Sequence, residues 1–172
     1  MARRVLGPIP ALHPGVTDLS EALKPTEIAK LKKRIDALHQ DFPQCRLHLV
    51  LNHFDSRFPL STHLFWLFNA GGLSPEENRL GRNRDLLIGL DPGQGRIALI
   101  CGYGLEPLID EAKLDAILLQ SKGLLTDGSY GVALLQVIAN LHAYLGALQK
   151  EVSHLLANQI DSTSHGQATY LD

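Results

Sequence analysis

The fold of this 172-residue chain is decided by residues 86–101, which read LLIGLDPGQGRIALIC. Two almost wholly apolar runs, residues 86–90 and 97–101, flank the turn sequence DPGQG at residues 91–95. Proline and glycine supply the dihedral angles that a tight turn needs, so the segment predicts a β-hairpin. Because both strands are apolar on both sides, we expect helices to cover both faces of the sheet.

Upstream of the hairpin, the pattern predicts one strand between two helices. A helix is expected from Pro25, because four apolar side chains recur at helical spacing along one face: Ile28, Leu31, Ile35 and Leu38. Residues 45–52 alternate apolar and other side chains and are predicted as a strand. Residues 60–69 hold too many aromatics for a surface loop and are predicted as a short buried helix, followed by a polar loop over residues 74–83.

Downstream of the hairpin, two helices are expected, over residues 110–120 and 129–158, separated by a non-helical segment at residues 123–128. The longer helix carries an apolar seam that alternates spacings of 4 and 3, as in a heptad repeat: Leu134, Ile138, Leu141, Leu145, Leu148, Val152 and Leu155. The apolar stripe is wide, which favours packing of its first half on the sheet. The part beyond Leu148 has little left to cover, so a homodimer through this helix is the alternative.

Length and composition indicate one domain of ordinary size, for which we expect an extended lead-in at residues 1–15, the domain at 16–148, and a helix extension with a flexible tail at 149–172. Eighteen acidic against sixteen basic residues give a formal charge of −2, which excludes a broad basic surface for nucleic acid. No run of about 18 uninterrupted apolar residues predicts a transmembrane segment. No signal peptide is recognised, so the chain is expected to be cytoplasmic, or periplasmic or secreted if it was trimmed.

Sequence templates for covalent catalysis are absent. The chain has neither a Gly-x-Ser-x-Gly elbow nor a P-loop. Pro107 stands where the third glycine of a dinucleotide fingerprint, or the arginine of a cysteine-phosphatase cradle, would be needed. No catalytic residue and no organic cofactor are therefore predicted. The eight histidines are scattered, and His48 and His142 are interpreted as hydrogen-bonded structural residues.

The chain has two cysteines, Cys45 and Cys101, and each falls in a stretch predicted as a buried strand. We interpret them as reduced residues of the core. A disulfide is the alternative, if the two strands are neighbours.

Five acidic residues stand in predicted loops or at helix starts near strand ends: Asp18, Glu106, Asp110, Glu111 and Asp127. Carboxylate oxygens on turns are the ligands that Ca²⁺ or Mg²⁺ requires, so these residues are the candidate metal ligands. The alternative for Asp110, Glu111 and Asp127 is that they are helix-cap acids without a ligand.

Several strings together resemble one known family. They are Gly102-Tyr103-Gly104-Leu105-Glu106 directly after an apolar strand, Val16-Thr17-Asp18 before a proline-initiated helix, Asn83 before the strand at residues 86–90, Leu67-Phe68, and Gly128-Ser129-Tyr130 at the start of the last helix. In order and spacing, over about 130 residues, they resemble the TPM domain. That family includes the thylakoid-lumen protein of photosystem II repair and many bacterial membrane-associated or secreted proteins.

The resemblance implies a three-layer α/β/α sandwich with a small mixed sheet. It also implies Ca²⁺ at loops on one edge of the sheet, as in some members, and an acid phosphatase activity attributed to the plant member. The chain departs from the family in having Asn83-Arg84 for Asn-Gly and Pro107 for glycine. We therefore expect a non-catalytic module that binds an unknown protein partner, with Ca²⁺ or Mg²⁺ at the loop carboxylates. A metal-assisted phosphatase is the alternative.

Overall fold

The structure, a computed structural model, describes residues 15–70 and 84–164 together with residues 6, 9, 10, 12 and 13, and it describes side chains as far as residue 157. Within this part of the chain, four strands form one sheet in the order β1-β2-β3-β4. They are β1 (Val16–Asp18), β2 (Leu47–Leu51), β3 (Leu86–Asp91) and β4 (Arg96–Cys101). β1, β2 and β3 run parallel and β4 runs antiparallel to β3, so the sheet is mixed, as predicted.

Five helices surround this sheet in the described residues: α1 (Pro25–Asp41), α2 (Leu60–Ala70), α3 (Glu111–Gln120), α4 (Lys122–Thr126) and α5 (Tyr130–Ser164). α1 begins at Pro25, whose fixed φ suits a first helical position. The Glu27 carboxylate accepts a hydrogen bond from the Lys24 N–H at 2.8 Å, and this contact closes the first turn. The predicted apolar face of α1 is buried at Leu31, Ile35 and Leu38.

The helices cover both faces of the sheet. Alternate strand side chains point to opposite faces, so Leu49 and Ile88 join the core under α1, α3, α4 and α5, whereas Val50 and Leu87 join the core under α2. β3 lies in the middle and is buried along its whole length. The predicted three-layer α/β/α sandwich is confirmed.

Two short elements differ from the expectations. Residues 16–18, expected only as the start of the domain, form β1 and pair parallel with β2. The prediction of a non-helical segment at residues 123–128 is wrong, because the single helical turn α4 forms there. Burial of Leu125, which is 4% exposed, holds this turn against the core, and Gly128 with φ 72° ends it.

The long helix α5 changes character along its length. The seam from Leu134 to Leu145 is buried in the same core as α1 and the strands, which confirms packing of the first half within the domain, whereas Leu155 and Leu156 are more than half exposed. By length and composition alone, residues 130–157 could cross a membrane, contrary to the absence of such a segment expected from the sequence. The core helix of a globular domain can have the same length and composition, and 39% of this stretch is buried in the domain. The homodimer through the exposed part stays a prediction.

Both cysteines are free thiols, as predicted. β3 separates the strand that follows Cys45 from the strand that ends at Cys101, so the two strands are not neighbours and the disulfide alternative is wrong. His142 is hydrogen-bonded as expected, with Nε2 at 2.7 Å from Asp41 Oδ2. His48 is not: within the described residues its buried ring nitrogens have no hydrogen bond, and Nε2 lies 3.6 Å from Asp85 Oδ2.

Some expectations fall outside the described residues. They are the polar loop at residues 74–83, the family position Asn83, and most of the tail after residue 161.

Candidate functional site

The Asp18 carboxylate, at the end of β1, is used by its own turn. Oδ1 accepts from the Ser20 N–H at 3.1 Å and from the Ser20 hydroxyl at 2.8 Å, and Oδ2 accepts from the Leu23 N–H at 2.8 Å. Both oxygens therefore stabilise the connection to α1. Asp18 therefore acts as a capping residue, because neither of its oxygens is left without a hydrogen bond for a metal ion to replace.

A second carboxylate at this end of the sheet, Asp91, was not among the candidates. It ends β3, is 1% exposed, and accepts hydrogen bonds from the Phe54 N–H, the Gln94 N–H and side-chain amide, and Arg96 Nη2, at 3.0 to 3.3 Å. His53 Nδ1 lies 3.9 Å from Oδ1. A buried carboxylate with this many donors holds the hairpin turn to the loop after β2. The sequence signal was the acid immediately after an apolar strand, which we interpreted only as part of a turn.

Three of the predicted ligands, Glu106, Asp110 and Glu111, follow β4 in the chain. Asp110 is the N-cap of α3, and its Oδ1 accepts from the Ala112 N–H at 3.0 Å. Its own N–H donates to the Tyr144 hydroxyl at 2.8 Å. Glu106 and Glu111 are exposed and make no hydrogen bond or ion pair with another side chain in the part of the molecule that the structure describes.

The two groups of acids lie at opposite ends of the sheet. Asp18 pairs in register with the last residues of β2, whereas Cys101, at the end of the antiparallel β4, pairs with Leu86 at the start of β3. The length of α5 between its contacts with the two ends gives the distance between them. Tyr130 donates to the Pro92 carbonyl in the hairpin turn at one end, and Tyr144 binds α3 at the other. These two tyrosines are 14 residues apart, or about 21 Å along the helix.

Asp127 lies at the start of α5, as the exposed C-cap of α4. It therefore belongs to the end of the sheet that holds Asp18. The five predicted ligands thus do not form one cluster. Across residues 15–70 and 84–157, no three His, Cys, Asp or Glu side chains are placed to hold a metal ion together. The described residues do not fit the single calcium site that the family resemblance implied.

A groove of about 430 Å³ runs along β4, and Glu106 and Glu111 line it. β4 contributes Leu99, Ile100 and Cys101 to its floor. Phe65, Phe68 and Asn69 of α2 form one wall, and Ile109 and Leu114, at and before α3, belong to the other. We call this the β4 groove. Its described lining is mainly apolar, and both of the charged residues in that lining are acidic.

The one thiol in the β4 groove is not activated. Burial, with smaller contributions from the charges of Glu106 and Cys45, raises the pKa of Cys101 to about 12. The nucleophilic form of cysteine is the thiolate, so at neutral pH Cys101 is an inert, protonated lining residue.

The arrangement defines a layered α/β/α domain with an apolar, acid-rimmed groove beside one sheet edge. Residues 16–144 match the family model described as TPM domain, and the chain belongs to the TPM domain family. A comparison with curated proteins gave no match.

Three solved structures share the fold. The N-terminal domain of a P. gingivalis protein is 24% identical, with a TM-score of 0.65 over 78% of this chain and 83% of that chain. The N-terminal domain of a Corynebacterium glutamicum protein is 18% identical, with a TM-score of 0.57 over 77% and 80% of the two chains. A protein from the psychrophilic bacterium Bizionia argentinensis is 12% identical, with a TM-score of 0.57 over 76% and 86%. At these identities the likeness is one of fold.

Proposed function

We propose that this chain is a non-catalytic TPM module that binds a protein partner through the β4 groove. The observation that carries the proposal is the groove itself, because its walls expose large apolar side chains to solvent. Phe65 is 54% exposed and Tyr103 is 61% exposed. Exposed aromatics around a concave apolar surface are typical of protein recognition sites.

The chemistry of the groove also favours binding over turnover. Covalent catalysis needs a nucleophile beside a base that activates it, whereas burial, with a smaller contribution from the charge of Glu106, raises the pKa of the Cys101 thiol and keeps it protonated. At the other end of the sheet, Asp91 is surrounded by donors that hold it as a carboxylate acceptor within the fold.

Of the five predicted Ca²⁺ ligands, we retain only Glu106 and Glu111 in the proposal. Glu106 and Glu111 are the two predicted ligands that share one concave surface, and both are exposed. An ion held there would take most of its six to eight oxygens from water or from a partner. Calorimetric titration with Ca²⁺ tests this idea: heat that saturates in the wild type and disappears in the E106Q/E111Q variant supports it, and no heat in the wild type contradicts it.

The alternative function is a metal-assisted phosphatase that uses the same two carboxylates. Turnover of a phosphomonoester that persists through purification and disappears in the Glu106→Gln variant would support it. Activity that survives this substitution would indicate a contaminant.

Photocross-linking in the source cells tests the proposed function. Benzoylphenylalanine placed at Phe65, in the groove wall, should give a discrete cross-linked protein species. The same group at Leu119, an apolar position that is 67% exposed on α3 and does not line the groove, is the matched control. A species that forms from both positions equally, or from neither, would contradict the proposal.

A further inference from the structure

The floor of the β4 groove is a strand edge. Within the described residues, β4 pairs with β3 on one side only. The Gly102 N–H donates to the Asp85 carbonyl at 2.9 Å, which fixes the alternation of the antiparallel ladder. By that alternation, Ala98 and Ile100 direct their backbone groups to β3. Leu99 and Cys101 direct theirs away from it, into the groove.

The edge is recessed between two helices. The wall from α2 stands over one face of the sheet and the wall from α3 over the other, with Leu99 and Cys101 between them. The edge of another sheet, covered by its own helices, is too thick to enter this recess. A second copy of this chain is therefore a poor occupant, whereas a single extended segment has the right thickness.

The charged residues at the rim of the groove indicate which kind of segment it would bind. Among the residues that the structure describes, Glu106 and Glu111 are the charged ones that line the groove, and no described lysine or arginine lines it. The Phe65 and Tyr103 rings add apolar and π surface beside these carboxylates. A segment with Lys or Arg among apolar residues matches both features, through ion pairs and cation–π contacts.

We infer that the β4 groove binds an extended, basic and apolar segment of a partner protein as an additional strand on β4. This inference rests on the proposed function and names its mode. The main-chain groups of Leu99 and Cys101 supply hydrogen bonds that any sequence can make. The apolar walls and the acidic rim supply the preference for alternating apolar and basic residues.

Selection from a phage-displayed library of linear peptides tests the inference. Peptides enriched on the wild-type chain should alternate apolar residues and carry Lys or Arg. One synthetic peptide from this pool is then used for affinity and amide exchange measurements. Enrichment only of acidic, helical or unpatterned peptides, or of peptides that bind a groove variant equally well, overturns the inference.

Residue-specific amide exchange gives the signature of strand addition. In the free chain the Leu99 and Cys101 amides should exchange at least about tenfold faster than those of Ala98 and Ile100, which the ladder protects. Saturation with the selected peptide should slow Leu99 and Cys101 by about tenfold or more and leave Ala98 and Ile100 unchanged. Protection already present in the free chain, or no gain on binding, overturns the inference.

Three variants separate the contributions to binding. Leu99→Pro removes one outward N–H donor and should weaken peptide binding about tenfold. Because this change also alters a core side chain, Phe65→Ser offers a second variant with little risk to folding, and Leu119→Ser is its control. The E106Q/E111Q variant should weaken binding about three- to fivefold at low salt and abolish its salt dependence. Asp115→Asn, on the exposed side of α3, should change neither quantity.

Partner binding and strand addition can be contradicted by different results. A cross-link from Phe65 without protection of the Leu99 and Cys101 amides would leave the partner-binding function and overturn strand addition. Absence of the cross-link, together with failure of the peptide selection, would overturn both.

Discussion

Two pairs of acidic residues at opposite ends of the sheet, Asp18 with Asp91 and Glu106 with Glu111, use their carboxylates in opposite ways. At the end formed by Asp18 and Asp91, the carboxylates accept several hydrogen bonds from their own loops. At the other end, Glu106 and Glu111 line an open apolar groove and bind no other described side chain. The first end therefore contributes hydrogen bonds to the stability of the fold, whereas the second leaves two carboxylates in the groove for which we propose a partner.

The largest effect is expected for Asp91→Ala, which tests whether the acids at the two ends of the sheet differ in their contribution to stability. The substitution should lower the free energy of unfolding by about 3–5 kcal/mol, because Arg96 and the Phe54 and Gln94 donors lose a buried acceptor. Urea denaturation measures the loss. Asp91→Asn, which keeps the shape and one acceptor, is the matched control and should cost less. A cost of Asp91→Ala no larger than that of Glu106→Ala would contradict this difference.

The reactivity of Cys101 tests the groove end. With a pKa of about 12 the thiol is protonated at pH 8, so its alkylation by iodoacetamide should be about 10²-fold slower than that of an ordinary cysteine. The thiolate fraction grows with pH until the pKa is passed. The rate should therefore keep rising from pH 8 to pH 11, where an ordinary thiol has levelled off. Peptide mass spectrometry distinguishes Cys101 from Cys45, and a plateau near pH 9 would contradict the prediction.

A smaller effect is expected for Asp18→Ala. The Ser20 and Leu23 N–H groups lose their acceptor, but water can reach this half-buried turn, so the cost should be about 1–2 kcal/mol. Thermal and urea unfolding measure it, with Asp115→Asn as the exposed control. If Asp18 were instead an empty metal ligand held by repulsion, its removal would stabilise the domain.

The smallest expected effect on stability is that of E106Q/E111Q. Both side chains are exposed and without a described partner, so the free energy of unfolding should change by less than about 0.5 kcal/mol. The same urea experiment measures it. A loss comparable with that of Asp18→Ala would mean that these acids serve the fold, and the contrast between the two ends would disappear.

The sequence was sufficient for most elements of the fold. The hairpin at residues 86–101, the helix from Pro25 and the first half of α5 have strong periodicity, and each was predicted with nearly correct bounds. β1 is only three residues long, and α4 is one turn that contains Gly123, so neither has enough pattern to be recognised without the core that holds it.

The candidate site was predicted less well for a reason of chain direction. Asp18 and Glu106 were both assigned to loops or helix starts near strand ends, which suggested one rim. Because β4 runs antiparallel to β1, residues that follow these two strands lie at opposite ends of the sheet. The β4 groove depends on β4 being an edge strand and on helices from both layers standing beside it, and neither property is written in local periodicity.

The recess of β4 also bears on edge-to-edge pairing between copies of this chain. An apolar strand with an open edge invites polymerisation, in which each copy templates the next. In the proposed binding mode, the helices on either side of β4 oppose the pairing of two β4 edges, and each domain would accept a single segment. A scaffold that carried several such segments would consequently assemble as many copies as it has segments, at a stoichiometry fixed by the scaffold.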